Sequence, residues 1–273
     1  MKLLLAIFIC ITSLTVSAQT DIKFNESFFG NNITYMNALN EKQKIGIKLY
    51  KSKAENSPTV IHLHGCGGVK SYAMTWVSAF QDWGYNVVVV DSFGPRWLGE
   101  ACSNTTYMSK KPLERIDDLY ASAEWIAAQS WNKGKPAAVG FSHGAMVLHI
   151  ASSKDYSKKS KNLISSAVAF YPYCHYDVLT DWQSEWPFQM HVGKLDNWTP
   201  AWLCDGHANF QSDKFDYRSY EQAHHGWDMG VNATMYSTGV GGTVRPRTIA
   251  PNAEATKQSM ENTKMWLNKF FNQ

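Results

Sequence analysis

Beyond its first eighteen residues the chain has no apolar run long enough to cross a bilayer, so nothing later reads as a membrane span. It also lacks a charge balance of one sign. Its 26 Lys and Arg against 23 Asp and Glu leave a formal net charge of +3, too mild to predict a nucleic-acid partner. The one dense basic patch, Lys154, Lys158, Lys159 and Lys161, lies in a Ser/Lys-rich stretch that reads as a solvated loop. No internal repeat and no Pro/Ser-rich linker divides the sequence. Cysteine is sparse, with five in 273 residues. Metal-ligand spacing is missing as well: His62 and His64 form a pair, but no neighbour completes a set, and neither metal nor cofactor is expected.

What is present is apolar and aromatic. The chain is 44% hydrophobic and 18% charged, with 11 Trp, which suits one large α/β domain. Residues 1–18 stand apart from it. Lys2 precedes an apolar segment from Leu3 to Val16 that is short for a span, and Val16-Ser17-Ala18 offers a cleavage site. Cys10 follows Phe8 and Ile9, which argues against a lipid anchor. The expectation is a signal peptide cut after Ala18. The mature domain, residues 19–273, would then be periplasmic or secreted and free of the membrane.

Strand and helix patterns alternate along the rest. Strands are expected near residues 33–36, at 44–50, 59–65, 86–91 and 136–141, then at 163–171, 188–192 and 215–220. Helices are expected at residues 72–83, at 112–128 with Pro112 in the first turn, after Ser142, and at 200–210. A terminal amphipathic helix spans 253–271, with Met260, Met265, Trp266 and Phe270 in its apolar set. Residues 237–251, rich in Gly and Pro, read as a loop near a site. This order predicts a mostly parallel sheet with helices on both faces.

The most informative stretch is Gly140-Phe141-Ser142-His143-Gly144, with an apolar strand before it and a dense apolar helix after it. A serine between two glycines at a strand-to-helix turn is the layout of a nucleophile elbow. The rival reading is an ordinary turn. A serine hydroxyl needs a general base, and that base needs an orienting group. Both belong on loops at the carboxyl ends of later strands. Asp196 lies just past one such end, where it could instead cap the next helix. His225 lies in a glycine loop past the last strand, with His224 as rival. The order Ser142, Asp196, His225 is that of α/β-hydrolases. An oxyanion needs two fixed donors: the N–H of His143, and one from His64-Gly65-Cys66-Gly67-Gly68, either Cys66 or Gly67.

With these motifs, and with Asp91-Ser92-Phe93-Gly94-Pro95-Arg96, Asp196-Asn197-Trp198-Thr199-Pro200 and His225-Gly226-Trp227-Asp228, the chain resembles the dienelactone hydrolase family from about residue 45 to its end. The resemblance implies the α/β-hydrolase fold and a triad carried onto Ser142, Asp196 and His225. The founding enzymes of that family use cysteine as nucleophile. Serine here, behind an export signal, points away from dienelactones and toward general carboxylic esters cleaved through an acyl-enzyme. Arg96 could bind a substrate carboxylate, or pair with Asp91 or a backbone carbonyl. Trp182, Trp186, Trp198, Trp202 and Trp227 lie on or near site-side loops; Trp198 and Trp227 are the candidates for substrate contact. Without Cys10, four cysteines remain, and four allow three connectivities. Cys66 and Cys102 both follow early strands, Cys174 and Cys204 later ones, so the expected pairs are Cys66–Cys102 and Cys174–Cys204. The same triad could serve a peptidase or amidase, and the scaffold could serve a non-catalytic binding protein. The expected partner is a small-molecule ester.

Overall fold

The computed structural model of the chain describes residues 31–37, 39–103, 105–158, 162–174, 182–238 and 244–272. The expected signal segment, residues 1–18, lies outside them, as do Lys159 and Lys161. An eight-stranded sheet runs through the molecule. Its strands are β1 (Asn31–Met36), β2 (Lys42–Tyr50), β3 (Thr59–Leu63), β4 (Asn86–Asp91), β5 (Ala137–Phe141), β6 (Ala167–Phe170), β7 (Phe188–Gly193) and β8 (Phe215–Tyr220). The spatial order is β1-β2-β4-β3-β5-β6-β7-β8. From β4 to β8 every neighbouring pair is parallel, while β1 and β2 add an antiparallel edge.

Among the described residues five α-helices accompany the strands: α1 (Ala73–Asp82), α2 (Thr105–Ala127), α3 (His143–Ala151), the short α4 (Lys154–Ser157) and α5 (Ala253–Phe271). Side chains alternate across a strand, so β3 and β4 each feed two cores. Val60, Val87 and Val89 pack with Trp76, Val77 and Phe80 of α1 and Trp266, Leu267 and Phe270 of α5. Ile61, Leu63, Val88 and Val90 pack with Ile116 and Leu119 of α2 and Val147 and Leu148 of α3. Burial on both faces explains why Val87 to Val90 read as an unbroken apolar run. Each such side chain stabilises the fold by roughly 1.5–3 kcal/mol relative to exposure. The fold is α/β, as the strand–helix alternation implies.

Local details depart from the sequence reading. Helix α2 starts at Thr105, so Pro112 sits inside it rather than in its first turn. The carbonyl four residues earlier therefore loses its helical donor. Residues 201–203 and 205–210 form two 3₁₀ turns in place of one helix. Strand β6 covers only Ala167–Phe170, because Tyr171 turns to φ 43°. Met265 does not belong to the apolar face of α5: it is 61% exposed. The stretch expected as a loop at 237–251 instead contributes to a hairpin of β9 (Ala233–Thr238) and β10 (Val244–Ile249). Pro246 fits there because a two-stranded ribbon leaves outward N–H positions that need no partner. The hairpin does lie beside the site. The Thr248 N–H donates to Asn197 Oδ1 at 2.9 Å, Arg247 reaches the Asn197 carbonyl, and Ile249 bridges His225.

Candidate active site

Strands β4 and β5 lie on opposite sides of β3, so the chain order reverses there. The carboxyl ends beside such a switch point are where open α/β sheets build their sites. Strand β5 ends at Phe141 and α3 begins at His143, leaving Ser142 alone at the corner with φ 52° and ψ −112°. A non-glycine residue there stores on the order of 1–3 kcal/mol of strain. The glycines make the corner possible. A Cβ on Gly140 would strike the Gly144 carbonyl, and one on Gly144 would strike the carbonyls of Leu63 and His64.

Asp196 and His225 arrive on neighbouring loops. Gly193 closes β7 against the Ala223 carbonyl, and the Leu195 N–H donates to that carbonyl at 3.0 Å. This clamps the loop bearing Asp196 to the loop bearing His225. Asp196 does two jobs. Its Oδ1 accepts the N–H groups of Trp198 at 2.7 Å and Thr199 at 2.8 Å, a turn within the loop rather than the helix cap weighed from sequence, since the 3₁₀ turn that follows is led by Pro200 with no side-chain cap. Its Oδ2 lies 2.7 Å from His225 Nδ1. His225 Nε2 lies 3.0 Å from Ser142 Oγ. With a carboxylate accepting at Nδ1, the neutral ring keeps its proton there and leaves Nε2 as an acceptor for the serine proton. His225, rather than His224, makes these contacts.

Further residues surround Ser142, Asp196 and His225, some inside the quoted motifs and one, Tyr171, outside them. The Thr199 hydroxyl sits 2.8 Å from Asp196 Oδ2 and 3.1 Å from His225 Nδ1. The Tyr171 ring packs 4.6 Å from the His225 ring, and Trp198 packs on it at 4.9 Å. Tyr171 is itself held by Asp228, whose carboxylate accepts from the Tyr171 hydroxyl at 2.8 Å and from Trp76 Nε1 at 2.7 Å. Burial pushes the Asp228 carboxyl above its ordinary range against the pull of these two bonds. Asp228 lies within the motif His225-Gly226-Trp227-Asp228, which gives it no role by itself; nothing in the sequence marks Tyr171.

The loop after β3 lies against the serine. A Cβ on Gly65 would stand 3.6 Å from Ser142 Cβ. Cys66 is fixed by its disulfide to Cys102 and by the Ala101 N–H, which donates to its carbonyl at 2.8 Å. A second disulfide joins Cys174 to Cys204. His64 braces the loop as a neutral ring. Its Nδ1–H donates to the Gly65 carbonyl at 2.6 Å, and its Nε2 accepts the Ser92 N–H at 3.2 Å. Burial, then the nearby Arg115 cation, hold its pKa well below the usual histidine value. Both ring nitrogens are thus engaged within the protein. His143 opens α3, where the first N–H groups have no helical acceptor.

Two candidates for substrate contact are placed elsewhere. Arg96 spends all five N–H donors internally: two on Asp118 at 2.7 and 2.8 Å, and the others on the Ser92 carbonyl, Gln43 and the Tyr35 hydroxyl. None is left for a substrate carboxylate, and the Arg96–Asp91 pairing considered from sequence is not made. Trp227 is wholly buried in the α1/α5 core and donates to Ser259. Trp182 and Trp186 are likewise core residues, and Trp202 is 70% exposed. Trp198 alone of this set packs on His225.

A putative dienelactone hydrolase from Klebsiella pneumoniae superposes with a TM-score of 0.62 at 14% identity, covering 89% of this chain and 99% of that one. An esterase of Pyrococcus furiosus gives 0.60 at 16% identity, covering 88% and 92%. Est1E from Butyrivibrio proteoclasticus, solved with ferulic acid bound, gives 0.58 at 10% identity, covering 84% and 96%. At such identities these likenesses speak to the α/β-hydrolase fold. No curated protein matches the sequence. The model of the dienelactone hydrolase family matches residues 45–271, most of the chain, and the chain belongs to that family.

Proposed function

We propose that this hydrolase is an exported serine esterase that cleaves small carboxylic esters through an acyl-enzyme. The observation that carries the reading is the chain of two short contacts, Ser142 Oγ to His225 Nε2 at 3.0 Å and His225 Nδ1 to Asp196 Oδ2 at 2.7 Å. In this reading His225 takes the hydroxyl proton as Ser142 Oγ bonds to the ester carbonyl carbon. The carbonyl oxygen becomes an oxyanion facing the N–H groups of His143 and Cys66. The tetrahedral intermediate collapses, the C–O bond to the alcohol breaks, and His225 returns its proton to the leaving alkoxide. Water repeats the sequence on the acyl group and frees Ser142. Asp196 holds the imidazole in the productive tautomer and stabilises the imidazolium that forms twice.

Small acyl groups suit the site. Ser142 is only 5% exposed and His225 2%, with Trp198 across the histidine. Two disulfides suit an oxidising compartment. The test is hydrolysis of p-nitrophenyl acetate, butyrate and octanoate by wild type and Ser142→Ala. The expected result is turnover that declines with chain length and falls at least ~10⁴-fold in the variant. An inactive wild type, or a variant with wild-type turnover, would overturn the assignment.

A further inference from the structure

The most buried cation among the described residues stands next to the proposed oxyanion hole, and the ester mechanism above does not use it. Arg115, on α2, is 1% exposed. Its three nitrogens engage three separate segments. Nη2 donates to the His64 carbonyl at 2.9 Å, and Nε to Ser92 Oγ at 3.2 Å. Nη1 lies 2.7 Å from His143 Nδ1, which can only accept from a guanidinium. The cation also faces the Phe93 ring, 5.3 Å from its centre. The His64 carbonyl begins the loop that presents Cys66, and His143 supplies the other N–H.

We propose that Arg115 is a positioning residue for the oxyanion hole, tying the loop of Cys66 to the first residue of α3 so that the two donors keep a fixed separation. The inference rests on the reading of Ser142 as nucleophile. A buried charge is costly unless it is used or neutralised. The nearest obvious counter-ion, one turn along α2, is Asp118, and its two oxygens are taken by Arg96. Asp91 Oδ1 accepts the N–H groups of Phe93 and Gly94, at 2.9 Å each, so Asp91 and Asp118 favour the Arg115 charge through space and not by contact. No described carboxylate touches Arg115. Its contacts are instead the His64 carbonyl and the His143 ring, on the two segments that supply the donors, and the Ser92 hydroxyl on the loop after β4. Burial lowers the guanidinium pKa to about 10, which still leaves it charged at neutral pH. A fixed positive charge bonded to both segments also favours the negative oxygen of the tetrahedral state over the neutral ester.

The experiment compares Arg115→Met, Arg115→Lys and His143→Ala with wild type. Readouts are kcat and KM on p-nitrophenyl acetate, the Ki of an aliphatic trifluoromethyl ketone, and thermal melting. The ketone forms a tetrahedral adduct in which Ser142 Oγ bonds the carbonyl carbon and the proton passes to His225, so its affinity reads the hole directly. The expected result for Arg115→Met is a kcat loss of about 10–100-fold and a matching loss of ketone affinity, with KM within about three-fold. Arg115→Lys, which keeps the charge but not the three contacts, should fall between. A folded Arg115→Met with kcat and Ki within three-fold of wild type would overturn the inference, as would a rise in KM alone. If both Arg115 variants fail to fold, His143→Ala decides. It keeps the backbone donor and removes the ring contact, so kcat should fall several-fold at constant KM, and an unchanged kcat overturns the inference. A wild type that neither hydrolyses the ester nor binds the ketone would instead remove the reading of Ser142.

Discussion

Replacing Asp196 by Asn tests the polar chemistry of the triad without emptying space. In the protein, Oδ1 of Asp196 accepts two backbone N–H groups, from Trp198 and Thr199, while Oδ2 faces His225 Nδ1. An amide has one oxygen. The two backbone donors require it, so the NH₂ group must turn toward His225. That forces Nδ1 to become an acceptor and moves the ring proton to Nε2, where it points at Ser142 Oγ. The base is then blocked by its own proton. The cost is the free energy of the wrong tautomer plus the lost stabilisation of the imidazolium. For triads of this kind it is about 10⁴ in kcat, or about 5 kcal/mol in the barrier. The loop itself should survive, because both bonds to the backbone are kept, and melting should shift by only a few degrees. Steady-state hydrolysis of p-nitrophenyl acetate from about pH 6 to pH 9, with melting curves on the same samples, reads both. Loss of kcat by less than ten-fold in a fully folded Asp196→Asn would refute the tautomer argument.

Three further outcomes follow from the same contacts. The Cys66–Cys102 bond closes a segment with a sequence separation of 36 and fixes a proposed oxyanion donor. Chain entropy puts the loss on opening it at up to about 4 kcal/mol, so Cys102→Ala should melt lower and lose kcat about ten-fold or more, whereas unchanged kcat would uncouple the bond from the site. Gly144→Ala places a methyl group against the backbone carbonyls of Leu63 and His64, which cannot give way as a side chain could. It should unfold or inactivate the protein, and an active, equally stable variant would show that the elbow relaxes. Stability should also fall in acid. Burial lowers the pKa of His62 to about 4 and of His191 to about 3, so the unfolded chain, titrating near 6.5, takes up protons first. The stability these neutral rings confer is present above pH 6.5 and is lost as the pH falls toward the folded values. The loss is about 2 kcal/mol for each ring between pH 7 and pH 5, readable by urea unfolding at the two pH values. A flat profile would contradict the neutral buried state.

Legibility in the sequence followed locality. The elbow could be read because strand, glycine, serine, glycine and helix are contiguous, and each residue answers a local steric need. Ser142, Asp196 and His225 could be placed on one sheet edge because parallel strands bring their carboxyl ends together. Which partners a long side chain chooses is settled in three dimensions, and there the reading failed. Arg96 looked free, but Asp118 on α2 and Tyr35 on β1 converge on it from far along the chain. Trp227, two residues past His225, turns into the opposite core. The β9–β10 hairpin was hidden because glycine and proline read as breakers, although residues 233–238 and 244–249 pair in register. Arg115 did leave a trace: with Asp118 and Ser122 it forms a polar line at helical spacing within the buried face that also carries Ile116, Leu119 and Ala123. A charge on the core side of a helix invites the question of what it serves.

The central claim is that Ser142 is an activated nucleophile, and covalent labelling tests it most directly. Folded protein treated with a fluorophosphonate should gain one phosphonyl group, mapped by peptide mass spectrometry to Ser142. Attack by Oγ expels fluoride as the hydroxyl proton passes to His225. The adduct should be absent in Ser142→Ala and form far more slowly in His225→Ala. A folded wild-type protein that gains no adduct, or an adduct that persists in Ser142→Ala, would contradict the account.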